Sequence, residues 1–368
     1  MKCILLLHSL KKKISLAERF TGKNITLPIL SNILFCVKNQ ILHIRATNLE
    51  IACDLVLHCK EEKDGIVAVQ ANSLSSYIQS LPSENKIILE EKEGSLIIKT
   101  ETAQSKVLLA QSSDFPLIPK IESKNFFTFS VSEFKNALKN VISAVSTTQL
   151  KPELNGIFIS FNVEENSLVC VATDTFRLAE KKIKLNKIKS NSFSFILPLR
   201  FSQELIRFET DEEGGECVYG EAQVLFRFGE DELISNIVQG KFPHYQSIIP
   251  KKFDTHIEID SQKIIEAIKS TSFFSSKLQD VCIRCEEKNV IIIHSENSEI
   301  GETTVSLEAI TEGKSFQISF NYKFFLDGIS ALSGGKAKIF LNNESSPVLV
   351  RDGNDPSFIY LIMPIKAV

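Results

Sequence analysis

The chain has 368 residues, 43% hydrophobic and 24% charged, which excludes bulk disorder and fits two to four packed domains of roughly 100–200 residues. Its formal charge of −3 excludes a polycation, so any nucleic-acid contact must come from a local concentration of Lys and Arg. The apolar runs Cys3–Leu7 and Val290–Ile293 are far shorter than the ~18 residues of a membrane span, and the first meets Lys11-Lys12-Lys13 too soon for a secretory signal, so a cytoplasmic protein is expected.

In chain order, Cys3–Leu7 reads as a strand, followed by a helix over 8–20 with Leu10, Ile14, Ala17 and Phe20 at helical spacing. Strands are expected at 33–38, 41–46, 51–58 and 66–70. A second helix opens with Asn72-Ser73 as its N-cap and stops at Leu81-Pro82. A meander follows at 86–90, 95–100 and 104–110, with a turn at Glu93-Gly94. Further helices are expected at 132–146, 198–209, 261–275 and 321–332.

This grammar repeats. Ile33, Ile157 and Val281 sit in similar contexts 124 residues apart, and Arg45-Ala46-Thr47-Asn48-Leu49 resembles Val171-Ala172-Thr173-Asp174-Thr175. Asp114-Phe115-Pro116 and Lys241-Phe242-Pro243 close the first two units. Three units of about 123 residues account for the chain, with boundaries at 1–122, 123–251 and 252–368. Two helices and mostly antiparallel strands per unit make an α+β repeat rather than a βαβ array.

Catalytic signatures are absent: no P-loop, dinucleotide-binding, zinc-protease or nucleophile-elbow motif occurs, and the six histidines are dispersed. Gly214-Gly215 and Gly334-Gly335 read as turns. The eight cysteines are scattered. Only Cys282-x-x-Cys285 has metal-like spacing, and it falls in a strand that sends the two thiols to opposite faces. No metal, cofactor or catalytic residue is expected. Charge is segregated instead. Residues 8–20 carry Lys11, Lys12, Lys13 and Arg19 against Glu18, and the six helices sum to +5, leaving −8 elsewhere. Solvated helix faces would give the same count.

Several segments together resemble the bacterial DNA polymerase III β-subunit family, the sliding clamps. They are Thr26-Leu27-Pro28-Ile29-Leu30-Ser31-Asn32, Leu154-Asn155-Gly156, Val171 through Ala179, Phe242-Pro243-His244-Tyr245 and Leu361 through Lys366. They keep the family's order and spacing over the whole chain. The resemblance implies a non-catalytic processivity factor of the polymerase holoenzyme. Three clamp domains would form a crescent, and two crescents a head-to-tail homodimeric ring whose twelve helices surround duplex DNA. An interaction scaffold without DNA is the alternative from another class.

By family position, a cleft for short linear motifs of the polymerase subunit, clamp loader and other partners would involve Leu154, Thr173, Thr175, Phe176, Arg177, Leu178, Pro243, Ile248, Leu361, Ile362, Met363, Pro364 and Ile365. Sequence-independent DNA contacts would come from Lys11, Lys12, Lys13, Lys23, Asn24, Lys135, Lys139, Gln149, Lys151, Arg200, Lys263 and Lys269. The dimer contact would pair Phe273 and Phe274 with an edge strand at 104–110 that includes Val107. Thr175-Phe176 stand where the family commonly has Gly-His, and the tail ends Lys366-Ala367-Val368.

Overall fold

The computed structural model describes all residues except 23–25, 83–84, 119–120, 122, 124, 149, 186, 190–191, 287 and 366–368, and at 187–189 the backbone alone. Its helices are α1 (Leu7–Arg19), α2 (Ala71–Ser80), α3 (Val131–Val141), α4 (Leu199–Arg207), α5 (Ser261–Thr271) and α6 (Tyr322–Ser330). In α1 the periodic positions Leu10, Ile14 and Ala17 are buried. The expected ends at 146 and 275 overshoot, because α3 and α5 tighten into the 3₁₀ turns Ile142–Ala144 and Ser272–Phe274.

The cap of α2 is Gln70 rather than Asn72-Ser73: its side-chain oxygen accepts from the Ser73 amide at 2.7 Å. Strand Gly65–Gln70 runs directly into the helix, so capping falls to the last strand residue. The third repeat does the same twice. Asp260 accepts from Lys263 N at 2.9 Å to start α5, and Asn321 accepts from Lys323 N at 3.0 Å to start α6.

The first-repeat strands form where expected, from Asn32–Lys38 to Gln104–Ala110. One strand, Lys60–Lys63, was not expected. Its all-charged sequence has no strand signature, and it exists because it pairs antiparallel with Lys2–Leu6 at a sheet edge.

The chain packs as two compact units: Met1–Val131 with Asn186–Ser190 and Gln203–Ile237, and Ser132–Leu185 with Asn191–Ser202 and Val238–Val368. Strand pairing across the repeat borders explains this division of three repeats. In the first unit Asp231–Asn236 of repeat two pairs with Ile51–His58 of repeat one, making one fourteen-stranded sheet. In the second, Arg177–Lys184 of repeat two pairs with Phe358–Ile362 of repeat three within a nine-stranded sheet. A separate four-stranded sheet there contains Gly301–Glu308 as an edge strand.

Gly215 lies in strand Gly214–Tyr219, not in a turn. A side chain there would come within 2.6 Å of the Phe129 ring, which packs edge-on to Phe226 and Phe228. The glycine makes room for a core aromatic. Cys282 is half-buried and Cys285 buried, as alternation requires, and all eight cysteines are free thiols.

Candidate functional site

The segment Thr173–Arg177 is a turn held by its own side chains. Thr173 Oγ1 donates to the Arg177 carbonyl at 2.7 Å, and Asp174 Oδ1 accepts the amides of Phe176 and Arg177 at 2.9 and 3.0 Å. Thr175 lies at φ +80°, a left-handed conformation that is costly for a β-branched residue and free for glycine. Repeat one builds the same turn: Thr47 Oγ1 bonds the Ile51 carbonyl at 2.9 Å, Asn48 Oδ1 accepts from Glu50 and Ile51, and Leu49 sits at φ +75°. The repeat therefore extends to individual hydrogen bonds. In the second copy the turn presents Phe176 at 61% exposure.

Arg177 is fixed on every side. Its Nε donates to Asp174 Oδ2 at 2.9 Å, it is ion-paired with Asp327, and its guanidinium lies 4.2 Å from the Phe324 ring centre. The Tyr360 hydroxyl donates to the Phe324 backbone carbonyl at 2.9 Å and ties the strand Phe358–Ile362 to α6 there. Burial alone would lower the Arg177 pKa, but Tyr360, Asp327 and Asp174 raise it further, so the group stays charged.

The C-terminal tail joins this turn. Leu178 pairs with Leu361 across adjacent strands, the Met363 amide then donates to the Phe176 carbonyl at 2.8 Å, and the Ile365 amide to the Ser319 carbonyl at 2.8 Å. Beneath lies a buried cluster of Leu154, Val171, Leu178, Ile196, Phe242, Tyr245, Leu349, Ile359 and Leu361. Phe242 stacks on Phe158 at 4.7 Å. Exposed apolar side chains stand on the same segments: Phe176, Met363, Pro243 and Ile248.

The expected cleft residues thus divide. Leu154, Leu178 and Leu361 are floor; Thr173 and Arg177 are scaffold; Thr175, Phe176, Pro243, Ile248 and Met363 are accessible; Pro364 and Ile365 are half-buried. Ile362 is fully buried and alternates to the face opposite Leu361, so it takes no part in the apolar surface. Val171, Ile196, Phe242, Tyr245, Leu349 and Ile359 were not expected in the floor, nor Phe324, Asp327 and Tyr360 as supports of Arg177. Of these, Val171, Phe242 and Tyr245 carried a signal, lying in segments that resemble the family.

The cationic residues divide too. Lys11 donates to the Leu81 and Gln79 carbonyls at 2.6 and 3.3 Å and closes the C-terminal end of α2. Lys13 is ion-paired with Asp231, which also accepts the Val56 amide at 3.0 Å, so it fastens the join between the two repeats' strands. These two are structural, and of the three lysines Lys12 alone is exposed. Lys139, Lys151, Arg200, Lys263 and Lys269 are exposed, and Lys135 is half-buried. Lys23, Asn24 and Gln149 lie outside the described residues, as do the tail residues Lys366–Val368.

At the expected dimer surface Phe273 is 79% exposed, while Phe274 is half-buried, its ring near Gly301. On strand Gln104–Ala110, Val107 is half-buried, opposite Leu96, and Leu108 is the exposed apolar residue at 76%. The pleat decides this: Val107 shares its face with the buried side. Among the described residues, 104–108 pair on one side only, and Gly301–Glu308 is likewise an open edge. On the latter's hairpin, exposed Glu296 and Glu302 with half-buried His294 bring potential ligand atoms within 4.8 Å of one another, a cluster not visible in the sequence spacing.

Three family models match in succession: the DNA polymerase III β-subunit N-terminal domain over residues 1–119, its central domain over 128–244 and its C-terminal domain over 246–366. The chain belongs to the DNA polymerase III β-subunit family. The β sliding clamp of Bacillus subtilis is 26% identical over 353 residues, covering 93% of each chain, and that of Synechococcus elongatus is 24% identical over all of this chain. The Thermotoga maritima β-subunit structure superposes with a TM-score of 0.93 at 25% identity, full length on full length. A Pseudomonas aeruginosa sliding clamp bound to griselimycin has the same fold, with a TM-score of 0.94 at 24% identity. Clamp architecture spans the chain from end to end, and no helix among the described residues is long and apolar enough to cross a membrane.

Proposed function

We propose that this chain is the processivity clamp of a replicative DNA polymerase: a non-catalytic, cytoplasmic homodimer that encircles duplex DNA and holds partners through the apolar surface around Phe176 and Met363. The observation that carries the reading is the full-length succession of three clamp-domain matches on one threefold repeat. The domain limits we propose are 1–122, 123–251 and 252–368. Encirclement of DNA by six domains requires two copies, and open edges at 104–108 and 301–308 supply complementary backbone for such a pairing. Nothing supports a scaffold that does not encircle DNA.

Holding DNA while sliding calls for contacts to phosphates without base readout. The exposed Lys12, Lys139, Lys151, Arg200, Lys263 and Lys269 supply them; Lys11 and Lys13 hold the fold. A clamp raises the effective concentration of a bound polymerase at its template and needs no bond chemistry of its own. The test is topological. Protein loaded on nicked circular DNA should persist and be lost once the circle is cut to a linear form. Equal retention on both would end the sliding-clamp reading.

A further inference from the structure

Beside the apolar surface lies a second depression, about 700 Å³, on the same unit. Lys251, Lys252, Phe253, His256, Phe340 and Arg351 line it. Phe253 and Phe340 stand 5.4 Å apart, His256 meets Phe340 edge-on at 5.0 Å, and the Arg351 guanidinium is 5.8 Å from the Phe340 ring centre. The local acid, Asp254, is ion-paired with Lys314 at 3.0 Å and leaves the wall basic. Arg351 is half-buried, and among the described residues its buried Nε has no hydrogen-bond partner. Among the described residues Arg351 makes a cation–π contact with Phe340 and no ion pair, so a ligand that brings an anion would give its half-buried charge a partner.

The sheet register joins this pocket to the apolar surface. Leu178 pairs with Leu361, Leu361 with Leu349, Leu349 with Phe340 and Phe340 with His256, one cross-strand row on one face. Ile249, Phe253 and Phe340 pack directly on the buried cluster beneath Phe176 and Met363. Two strand spacings separate Leu361 from Phe340, roughly 10 Å, which about three extended residues cross.

We infer that this pocket is an anion subsite for acidic side chains flanking the apolar anchor of a docked partner peptide, with Arg351, Lys251 and Lys252 as the charge donors. This rests on the proposed peptide-docking function of the neighbouring surface. A carboxylate suits it better than a nucleic-acid phosphate because the site is continuous with that surface through a shared apolar floor. Partners with acidic flanks would then outcompete those without, and salt would erode the advantage.

The experiment compares a Gln-Leu-x-Leu-Phe-type peptide with the same peptide carrying three Glu residues at either end, by fluorescence anisotropy on the full chain. One extended form should bind at least about fivefold tighter at low salt, the scale of a few charge-assisted contacts. Lys251→Gln/Lys252→Gln, on an exposed segment, should remove much of that gain and leave the unextended peptide's affinity unchanged; adding Arg351→Gln should remove the rest. No gain for either extension on the native chain, or a gain that survives the substitutions, overturns the subsite. Displacement of the acidic flank by a short oligonucleotide would reassign the pocket to nucleic acid and overturn it as well. Failure of the unextended peptide to bind is a different result: it removes the docking surface itself, and the subsite with it.

Discussion

The Met363 amide donates to the Phe176 carbonyl at 2.8 Å, so the C-terminal tail and the turn that presents Phe176 are built as one piece. Sequence separation makes this bond depend on the tail lying alongside strand Arg177–Lys184. The exposed Phe176 and Met363 side chains owe their mutual placement to it.

Deleting Met363–Val368 should therefore abolish binding of a Gln-Leu-x-Leu-Phe-type peptide while dimerisation and retention on circular DNA persist. Anisotropy measures the first, sedimentation and circle-loading the others. Unchanged affinity in a folded, dimeric truncate would show that the docking surface lies elsewhere.

Arg177→Ala should cost about 1–3 kcal/mol of stability, because Asp174 and Asp327 lose their partner and Phe324 its stacked cation. Arg177→Lys should not restore it: an ammonium cannot reach both carboxylates while lying flat on a ring. Denaturant midpoints on the two variants decide this, and full rescue by Lys would contradict the geometry.

Thr175→Gly is predicted to stabilise, against the usual cost of introducing glycine. The backbone at φ +80° strains a β-branched residue by about 1–3 kcal/mol, more than the roughly 1 kcal/mol of extra chain entropy that glycine loses. A lower melting temperature for the glycine variant would refute the strain.

Leu108→Ala with Phe273→Ala should weaken the dimer, each truncation removing roughly 1.5–3 kcal/mol of apolar burial at the contact. Val107→Ala should instead lower the stability of the fold, since Val107 lies against its own sheet. Sedimentation equilibrium separates the two outcomes, and a native chain that is monomeric at micromolar concentration would remove the dimer.

Asp352 gives a pH dependence. Burial would raise its carboxyl, but donation from the amides of Asn354 and Gly334 and from the Ser333 side chain and amide holds it below the usual range. A depressed folded pKa means stability present above the unfolded value of about 3.9 and lost as pH falls through the folded value. Asp352→Asn should cost about 1–3 kcal/mol at pH 7, with the difference from native shrinking below about pH 4. A gap that stays constant from pH 7 to 3 would exclude the linkage.

The charge-reversal set Lys12→Glu, Lys139→Glu and Lys269→Glu should weaken direct DNA binding and flatten its salt slope by up to ~0.9 per lost phosphate contact. Lys13→Glu should chiefly destabilise the chain by facing Asp231 with a like charge.

The sequence alone determined the threefold repeat, the six helices and the first repeat's strands apart from Lys60–Lys63, since these follow from local periodicity and recurrence at fixed spacing. Resemblance carried by whole motifs also assigned Phe176, Pro243, Ile248 and Met363 to the proposed docking surface, and all four side chains are exposed. Tertiary structure decided what local pattern cannot encode. Lys11 and Lys13 look like free helix cations until the Leu81 carbonyl and Asp231 arrive from distant sequence. Val107 and Leu108 exchange roles with the phase of the pleat. Ile362 and Leu361 part company for the same reason, because neighbouring residues on a strand face opposite ways. The charged strand Lys60–Lys63 forms only through its pairing with Lys2–Leu6. The basic pocket around Arg351 exists only in the register that sets His256 opposite Phe340 and Phe340 opposite Leu349, where side chains meet by backbone pairing rather than by spacing along the chain.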